Sequence, residues 1–344
     1  MRSSSRQLIL GLDEAGYGPN IGPLVIACSA WLIDDQPSKP SDTRPSAESM
    51  LERLSPAFLS KPVKVPIAHI PLGDSKALYS SGDSVDSLSL GVRYWLKQVG
   101  MEASNFQNVL EKLAPESVGS LSNFSWYEKP ESSKALRECL PSIEESIPGS
   151  LVESTAKVCL QTGLQFLGLA ATAIDERRFN RDVERLGNKA SLLSQLSLRL
   201  AADCLNNYAT ERVDSFDSIH VYCDKHGGRN RYQAILMDAM PELWFVAVQE
   251  SAARSDYRTR YLDREMCWSF LAKGDRLFAS ALASMSAKWI REGLMARLNQ
   301  FWQTHVPDLK PTAGYPVDAK RFREAIQPVA EQMNYPIADW WRFR

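Results

Sequence analysis

The chain has no run of about eighteen apolar residues, so no membrane span is expected. Its opening, MRSSSRQLILGL, carries too short an apolar stretch for a secretory signal. No Cys-x-x-Cys pair occurs; Cys28, Cys139, Cys159, Cys204, Cys223 and Cys267 stand far apart. That spacing speaks against a disulfide frame or a zinc site and fits reduced thiols in a cytoplasmic protein. An excess of positive charge is also missing. Forty Lys and Arg face 41 Asp and Glu, a net charge of −1, whereas a general nucleic-acid binder would be basic. Charge gathered on one face matters more than the total, so this balance excludes little. Internal repeats and long low-complexity tracts are absent too. What is present is a globular composition, 44% hydrophobic and 24% charged, in a chain long enough to bury a core.

The most informative stretch is Leu8–Trp31, LILGLDEAGYGPNIGPLVIACSAW. An apolar run, Leu8–Leu12, ends on adjacent carboxylates, Asp13 and Glu14. A turn of Gly16, Tyr17, Gly18 and Pro19 follows, and a second apolar run, Leu24–Ile33, returns. Two such runs joined by glycine and proline predict a β-hairpin. Adjacent strand residues point to opposite faces, so Asp13 and Glu14 reach one site only where the strand ends and twists. A carboxylate pair there is costly unless solvated, paired or bound to a cation. Gly16, Gly18 and Gly22 mimic a dinucleotide fingerprint, but that motif needs a helix after the glycines. Pro19, Pro23 and the strand-like Leu24–Ile33 argue against it. A solvated hairpin with two ordinary surface acids is the competing local reading.

Asp13-Glu14-Ala15-Gly16-Tyr17-Gly18-Pro19, then Gly22-Pro23 and an apolar strand, resembles the N-terminal signature of the ribonuclease HII family. That family cuts the RNA strand of RNA–DNA hybrids and cuts at ribonucleotides embedded in DNA. It usually has Arg between the two glycines, where this chain has Tyr17. The related type HIII enzymes carry an extra N-terminal domain. With a strand starting almost at Met1, that domain is expected to be absent here.

Further along, Asp34–Ser60 reads as an exposed loop with a short helix at Ala47–Leu54, and Val63–Leu72 as a third strand. Gly73-Asp74-Ser75-Lys76-Ala77-Leu78 matches the family's Asp-Ser-Lys-x-Leu element, which implies that Ser75 and Lys76 lie beside substrate phosphates. A capped helix N-terminus with a lysine attracts phosphate in any case, although Asp-Ser-Lys is also a common cap without a ligand. Ser80–Gly149 departs from the family, with helices expected at Ser87–Val99 and Phe106–Leu113 and a polar, serine-rich stretch over Ser122–Ile147. The core resumes at Ala156–Ile174, with β character in its middle. Ile174-Asp175-Glu176 resembles the family's Ile-Asp step, and Asn188–Tyr208 is an amphipathic helix covering the sheet.

Ser218–Cys223 alternates as a strand and ends on Asp224, where α/β folds place ligands. The turn after it, Lys225 to Arg231, is densely basic. Phosphate contact by Arg229 or Arg231 and a merely solvated turn are both open, and a lone loop histidine such as His226 more often has no chemical role. Leu243–Gln249 is a strand, and Ser255–Arg264 a charged surface segment. Lys273-Gly274-Asp275 followed by the alanine-rich helix Ala279–Met295 is a second match to the family. Glu292 stands where the family usually has its fourth catalytic Asp, with Asp275 the alternative source. Ala313-Gly314-Tyr315-Pro316 matches the Gly-Tyr-Pro element, whose tyrosine stacks on a sugar. The aromatic and basic tail, Ala338–Arg344, is expected to dock on its own core.

These motifs occur in the family's order over roughly Gln7–Trp31, Ile70–Leu78 and Leu164–Glu324. The resemblance implies a ribonuclease H-like mixed α/β sheet flanked by helices, with a helical insertion and a C-terminal helical region. Residues 1–79 would begin the catalytic core, 80–155 form an inserted accessory segment, and 156–344 complete the core. It implies catalytic and metal-binding roles for Asp13, Glu14, Asp224 and Glu292. It also implies substrate contacts from Gly16, Tyr17, Gly18, Ser75, Lys76, Arg229, Arg231, Lys273 and Tyr315. Two Mg2+ or Mn2+ ions about 3.5–4 Å apart would activate water and stabilise the leaving 3′ oxygen. Hard divalent ions take oxygen ligands, which agrees with the missing Cys/His cluster. The expected partner is an RNA–DNA hybrid or a DNA duplex containing ribonucleotides. A non-catalytic hybrid-binding protein, or a nuclease of this fold with another nucleic-acid substrate, are the alternatives.

Overall fold

The computed structural model describes residues 5–34, 46–64, 66–79, 85–101, 105–128, 147–272, 274 and 277–343. Its centre is a seven-stranded mixed sheet. The expected hairpin is there: β1 (Arg6–Ala15) pairs antiparallel with β2 (Leu24–Asp34) from Arg6↔Asp34 to Ala15↔Val25. A two-stranded parallel sheet, β3 (Phe58–Leu59) and β4 (Ile70–Pro71), stands apart. β5 (Gln165–Ile174) adds to the outer edge of β2. On the other side β6 (Ser218–Asp224) runs parallel to β1, and β9 (Arg264–Leu271) parallel to β6. β8 (Arg254–Tyr261) and β7 (Val246–Glu250) close that edge antiparallel, giving the order β5-β2-β1-β6-β9-β8-β7.

Alternation along β1 divides the core. Leu8, Leu10 and Leu12 face one layer, which includes α8 (Lys189–Ala209); Ile9 faces the other, built on α10 (Phe278–His305). The small residues of α10 allow close approach. A Cβ on Gly11 would meet the Ala279 carbonyl carbon at 2.3 Å and the Ser280 nitrogen at 2.4 Å. On that same face α1 (Ser46–Leu54), α3 (Asp86–Gln98) and α4 (Phe106–Leu113) share the core. Trp95 of α3 sits 4.7 Å from Trp31 of β2 in an edge-on pair, and Phe106 of α4 sits 5.7 Å from Trp289 of α10. The described helices of 80–155 therefore bury apolar rings against the sheet layer. The intervening α2 is the four-residue turn Ser75–Leu78, and α5 spans Pro115–Leu121. Much of the serine-rich stretch lies outside the described residues.

Three expectations change. Among the described residues of Val63–Leu72 a strand forms only at Ile70–Pro71, and Pro66 removes a ladder donor from the stretch before it. Ala156–Thr162 belongs to helix α6 (Gly149–Thr162), which stops at Gly163 in the left-handed conformation, φ 63°, before β5 begins. Ser255–Arg264 is mostly β8, between β7 and β9: Arg258, Arg260, Leu262 and Asp263 are exposed as expected, whereas Ser255–Tyr257 are buried. There Arg254 and Asp256 neutralise each other at 2.8 Å and Tyr257 is fully buried. α7 (Glu176–Leu186), capped by Asp175, and α9 (Gln233–Ala239) pack beside α8. α11 (Pro316–Gln332) forms the expected C-terminal helical region. No described helix is long and apolar enough to cross a membrane. The described cysteines are all free thiols, three of them buried; Cys139 lies outside the described residues.

Candidate carboxylate site at the sheet edge

Parallel pairing of β1 with β6 runs from Gln7↔Ser218 to Leu12↔Cys223, so both strands end at the same edge. Asp13 and Glu14 follow Leu12, and Asp224 follows Cys223. Two segments some two hundred residues apart in sequence thus deliver three carboxylates to one place. β1 continues through Ala15, so Glu14 lies on the α8 side while Asp13, like Ile9, lies on the α10 side. The two acids meet around the strand rather than on one face. The Glu14 N–H donates to Asp13 Oδ1 at 2.8 Å, and the Gly274 N–H donates to Asp224 Oδ1 at 3.1 Å. Burial holds the Glu14 carboxyl well above its ordinary range, and the charges of Asp13 and Asp224 push the same way, while Lys76 opposes them.

The glycine loop after β1 is gripped from several directions. Gly16 has φ +90°, and a Cβ there would lie 2.5 Å from the Pro23 carbonyl oxygen, so its glycine is required by the fold. Gly18 is different: it is exposed, and a Cβ would meet nothing within 4 Å. Backbone N–H groups of Asn20 and Ile21 donate to the Gly314 carbonyl, which ties the loop to the Ala313–Pro316 turn. Buried Arg291 of α10 donates to the Ala313 carbonyl at 2.9 Å. Buried Arg342 of the tail donates to the carbonyls of Gly16 and Gly22. The Gly22 N–H in turn donates to Glu176 Oε1 at 2.7 Å, and the Tyr127 hydroxyl donates to Glu176 Oε2 at 3.0 Å. Tyr315 sits at the cap of α11, 49% exposed, beside the loop that Gly314 anchors.

The expected cations sort into near and far. Lys76 is exposed on α2, whose cap Asp74 accepts from the Lys76 N–H at 2.9 Å; it acts on Glu14 as noted. Ser75 is buried and takes a 3.0 Å hydrogen bond from Ser284, so it braces α2 against α10. Arg229 lies close enough to Tyr17 to oppose the rise that burial gives the Tyr17 hydroxyl, and it donates to Ser191 Oγ at 3.1 Å. Arg231 points elsewhere, 3.6 Å from Glu250 on β7. His226 is buried against Tyr232 and Phe270, bonded to Ser194, and burial lowers its imidazole to about 3, so it stays neutral. Lys189 was not anticipated: its ammonium lies 4.9 Å over the Tyr17 ring, an arrangement that only the docking of α8 creates. Arg291 falls where the family has its Arg, but its grip on the loop was not anticipated; Arg342 was not singled out, since nothing in its sequence neighbourhood marks a loop clamp.

Glu292 occupies α10 on the Lys76 side. Its carboxylate takes a 3.0 Å hydrogen bond from Tyr79 and lies 2.8 Å from Lys288 and 3.7 Å from Arg291. Lys273 and Asp275 lie outside the described residues. Among the described residues no group of three or more His, Cys, Asp or Glu side chains is placed so that it could hold a metal ion. Even so, Asp13, Glu14 and Asp224 are an all-oxygen donor set whose mutual repulsion a divalent cation would relieve, and to that extent they fit one.

No family model and no curated protein matches this sequence. Among solved structures, the RNase HII of Archaeoglobus fulgidus, determined in complex with PCNA, aligns over 98% of this chain and 94% of its own, with 14% identity and a TM-score of 0.37. The ribonuclease H2 of Pyrococcus horikoshii OT3 aligns over 97% of this chain and 92% of its own at 14% identity and TM-score 0.38. Bst-RNase HIII in complex with Mn2+ aligns over 98% of this chain and 66% of its own at 13% identity and TM-score 0.38.

Proposed function

We propose that this protein is a metal-dependent endonuclease of ribonuclease HII type, cutting the RNA strand of RNA–DNA hybrids or DNA at embedded ribonucleotides. The observation that carries this reading is the convergence of Asp13, Glu14 and Asp224 at the shared end of two parallel strands, from motifs that sequence alone aligned with that family. Asp13, Glu14 and Asp224, with Glu292 as the fourth acid, would hold two Mg2+ or Mn2+ ions. Such ions supply water activation and leaving-oxygen stabilisation in phosphodiester hydrolysis, giving 5′-phosphate and 3′-hydroxyl ends. The remaining work falls to the chain's own groups. The exposed Gly18 backbone can approach a 2′-hydroxyl, the group that tells RNA from DNA. Lys76, Lys189 and Arg229 bring positive charge to the phosphates around it. Tyr315 offers an exposed ring for a sugar.

The test is a labelled DNA duplex carrying one ribonucleotide, incubated with Mg2+ or Mn2+ beside the Asp13→Asn variant. Cutting on the 5′ side of the ribonucleotide, reduced at least about a hundredfold in the variant, is the expected result. A panel of duplexes lacking the ribonucleotide separates this from a nuclease of other specificity. One observation favours a second reading, a non-catalytic hybrid-binding protein: Glu292 is already engaged by Lys288 and Tyr79. Tight binding without cutting at any metal concentration would select that reading.

A further inference from the structure

The segment Glu176–Leu186, ERRFNRDVERL, places Arg178, Asp182 and Arg185 on one face of α7 at three- and four-residue spacing, with Arg181 beside them. Between α7, α8 and α9 lies a cavity of about 580 Å³ lined by Arg178, Arg181, Arg185 and Arg199, with Asp182 and Asp238. One carboxylate serves three guanidinium groups: Asp182 lies 3.6 Å from Arg178, 3.1 Å from Arg181 and 3.9 Å from Arg185. Asp182 is buried, whereas the side chains of Arg181 and Arg185 keep 70% and 56% of their surface. On the opposite flank Arg178 and Arg199 also border a hollow containing Glu116 and Asp203. Positive charge is therefore in excess at the Arg181–Arg185 mouth, in a chain whose net charge is −1.

One face of α8 links this mouth to Arg229 beside the glycine loop. Ser191, Gln195 and Arg199 form one stripe along α8. Ser191 accepts from Arg229 at the glycine-loop end, Gln195 accepts from Arg185 at 3.0 Å, and Arg199 lines the cavity. From Ser191 to Arg199 the helix rises about 12 Å. That is three to four base-pair steps of a duplex at about 3.4 Å each.

We propose that this arginine-lined cavity is a second phosphate site, holding the backbone of the same duplex about three to four base pairs from the glycine loop. It deepens the nuclease reading and rests on it for the identity of the ligand. Guanidinium groups suit this task because their planar donors pair with phosphate oxygens, and because exposed ones lose little hydration on doing so.

The experiment measures binding of a 20-base-pair duplex containing one ribonucleotide, without divalent metal, across a range of salt. It compares the full-length protein with Arg181→Gln/Arg185→Gln and with Arg181→Lys/Arg185→Lys. Each phosphate contact adds about 0.9 to the slope of log affinity against log salt. The Gln pair should flatten the slope by about one to two and weaken binding at low salt, while the Lys pair keeps the slope. The Lys pair should retain the wild-type thermal midpoint, while the Gln pair leaves buried Asp182 with Arg178 alone, so binding is compared well below both midpoints. An unchanged slope in the Gln pair overturns the proposal, as does an equal loss in the Lys pair. Displacement by millimolar inorganic phosphate with no change in the duplex slope would make the cavity a small-anion site, which also overturns it. In a second arm with Mg2+ or Mn2+ added, a duplex that is cut normally while the metal-free slope stays unchanged refutes the cavity alone. A duplex bound with the expected slope change but never cut refutes the catalytic reading alone.

Discussion

Gly18 and Glu176 show how single positions separate fold from function. Nothing within 4 Å would touch a Cβ at Gly18, so Gly18→Ala should leave stability within about 0.5 kcal/mol of wild type. If the backbone there approaches the ribose, the same change should cost about ten- to a hundredfold in cleavage of a ribonucleotide-containing duplex. Equal activity with equal stability would remove Gly18 from the site. Glu176 is the structural counterpart. It is fully buried, faces Arg342, and burial raises its carboxyl to about 7. An acid whose folded pKa lies above its unfolded value favours folding in its protonated form. Stability should therefore be highest below about pH 4.5 with respect to this group, and decline as pH rises towards 7, by about 3 kcal/mol at most. Denaturant titrations at several pH values check this, and Glu176→Gln should flatten the decline.

At the scale of elements, the contact that sets the site is β1 against α10. β1 carries Asp13 and Glu14, α10 carries Lys288, Arg291 and Glu292, and Gly11 lets the two backbones touch. Gly11→Ala would drive a methyl into the Ala279–Ser280 peptide, and neither backbone can yield without moving the other. The expected cost is about 1–3 kcal/mol or more, read from urea midpoints, together with loss of cleavage as the acids shift relative to α10. A neutral Gly11→Ala would mean the helix stands further from the strand than described. The hairpin, α3, α8 and the alanine-rich part of α10 were all legible in the sequence, because apolar periodicity and caps such as Asn188 are local signals. β8 was not. Its Arg254 and Asp256 look solvent-facing until the pairing with β9 and the bridge to Glu48 of α1 neutralise them.

For the whole molecule, the expected consequence of three converging carboxylates is linkage between metal and folding. Mg2+ or Mn2+ that binds only the folded chain should raise its thermal midpoint, by about 2.7 kcal/mol of stability at a hundred times the dissociation constant. The rise should vanish in Asp13→Asn, measured by calorimetry, and a shift of equal size in the variant would place the metal elsewhere. The tail is the other global feature. Trp340 packs near Trp302 of α10, and Arg342 closes back onto the loop that follows β1, so the tail holds the glycine loop.

The sequence by itself determined the secondary elements with strong periodicity, the acid pair at a strand end, the glycine loop and the docking of the tail onto its own core. Each follows from neighbours within a few residues, or from the plain need to bury Trp340 and Trp341. The family resemblance already grouped Asp224 with Asp13 and Glu14; tertiary structure alone decided that Arg229 faces Tyr17 while Arg231 pairs with Glu250, and that Ser75 braces α2. It also decided that Lys189 and the arginines of α7 line up from the glycine loop to a basic cavity. The physical reason is the same in every case: strand register and helix docking bring together side chains that are remote in sequence, and charge counts only once that placement is made.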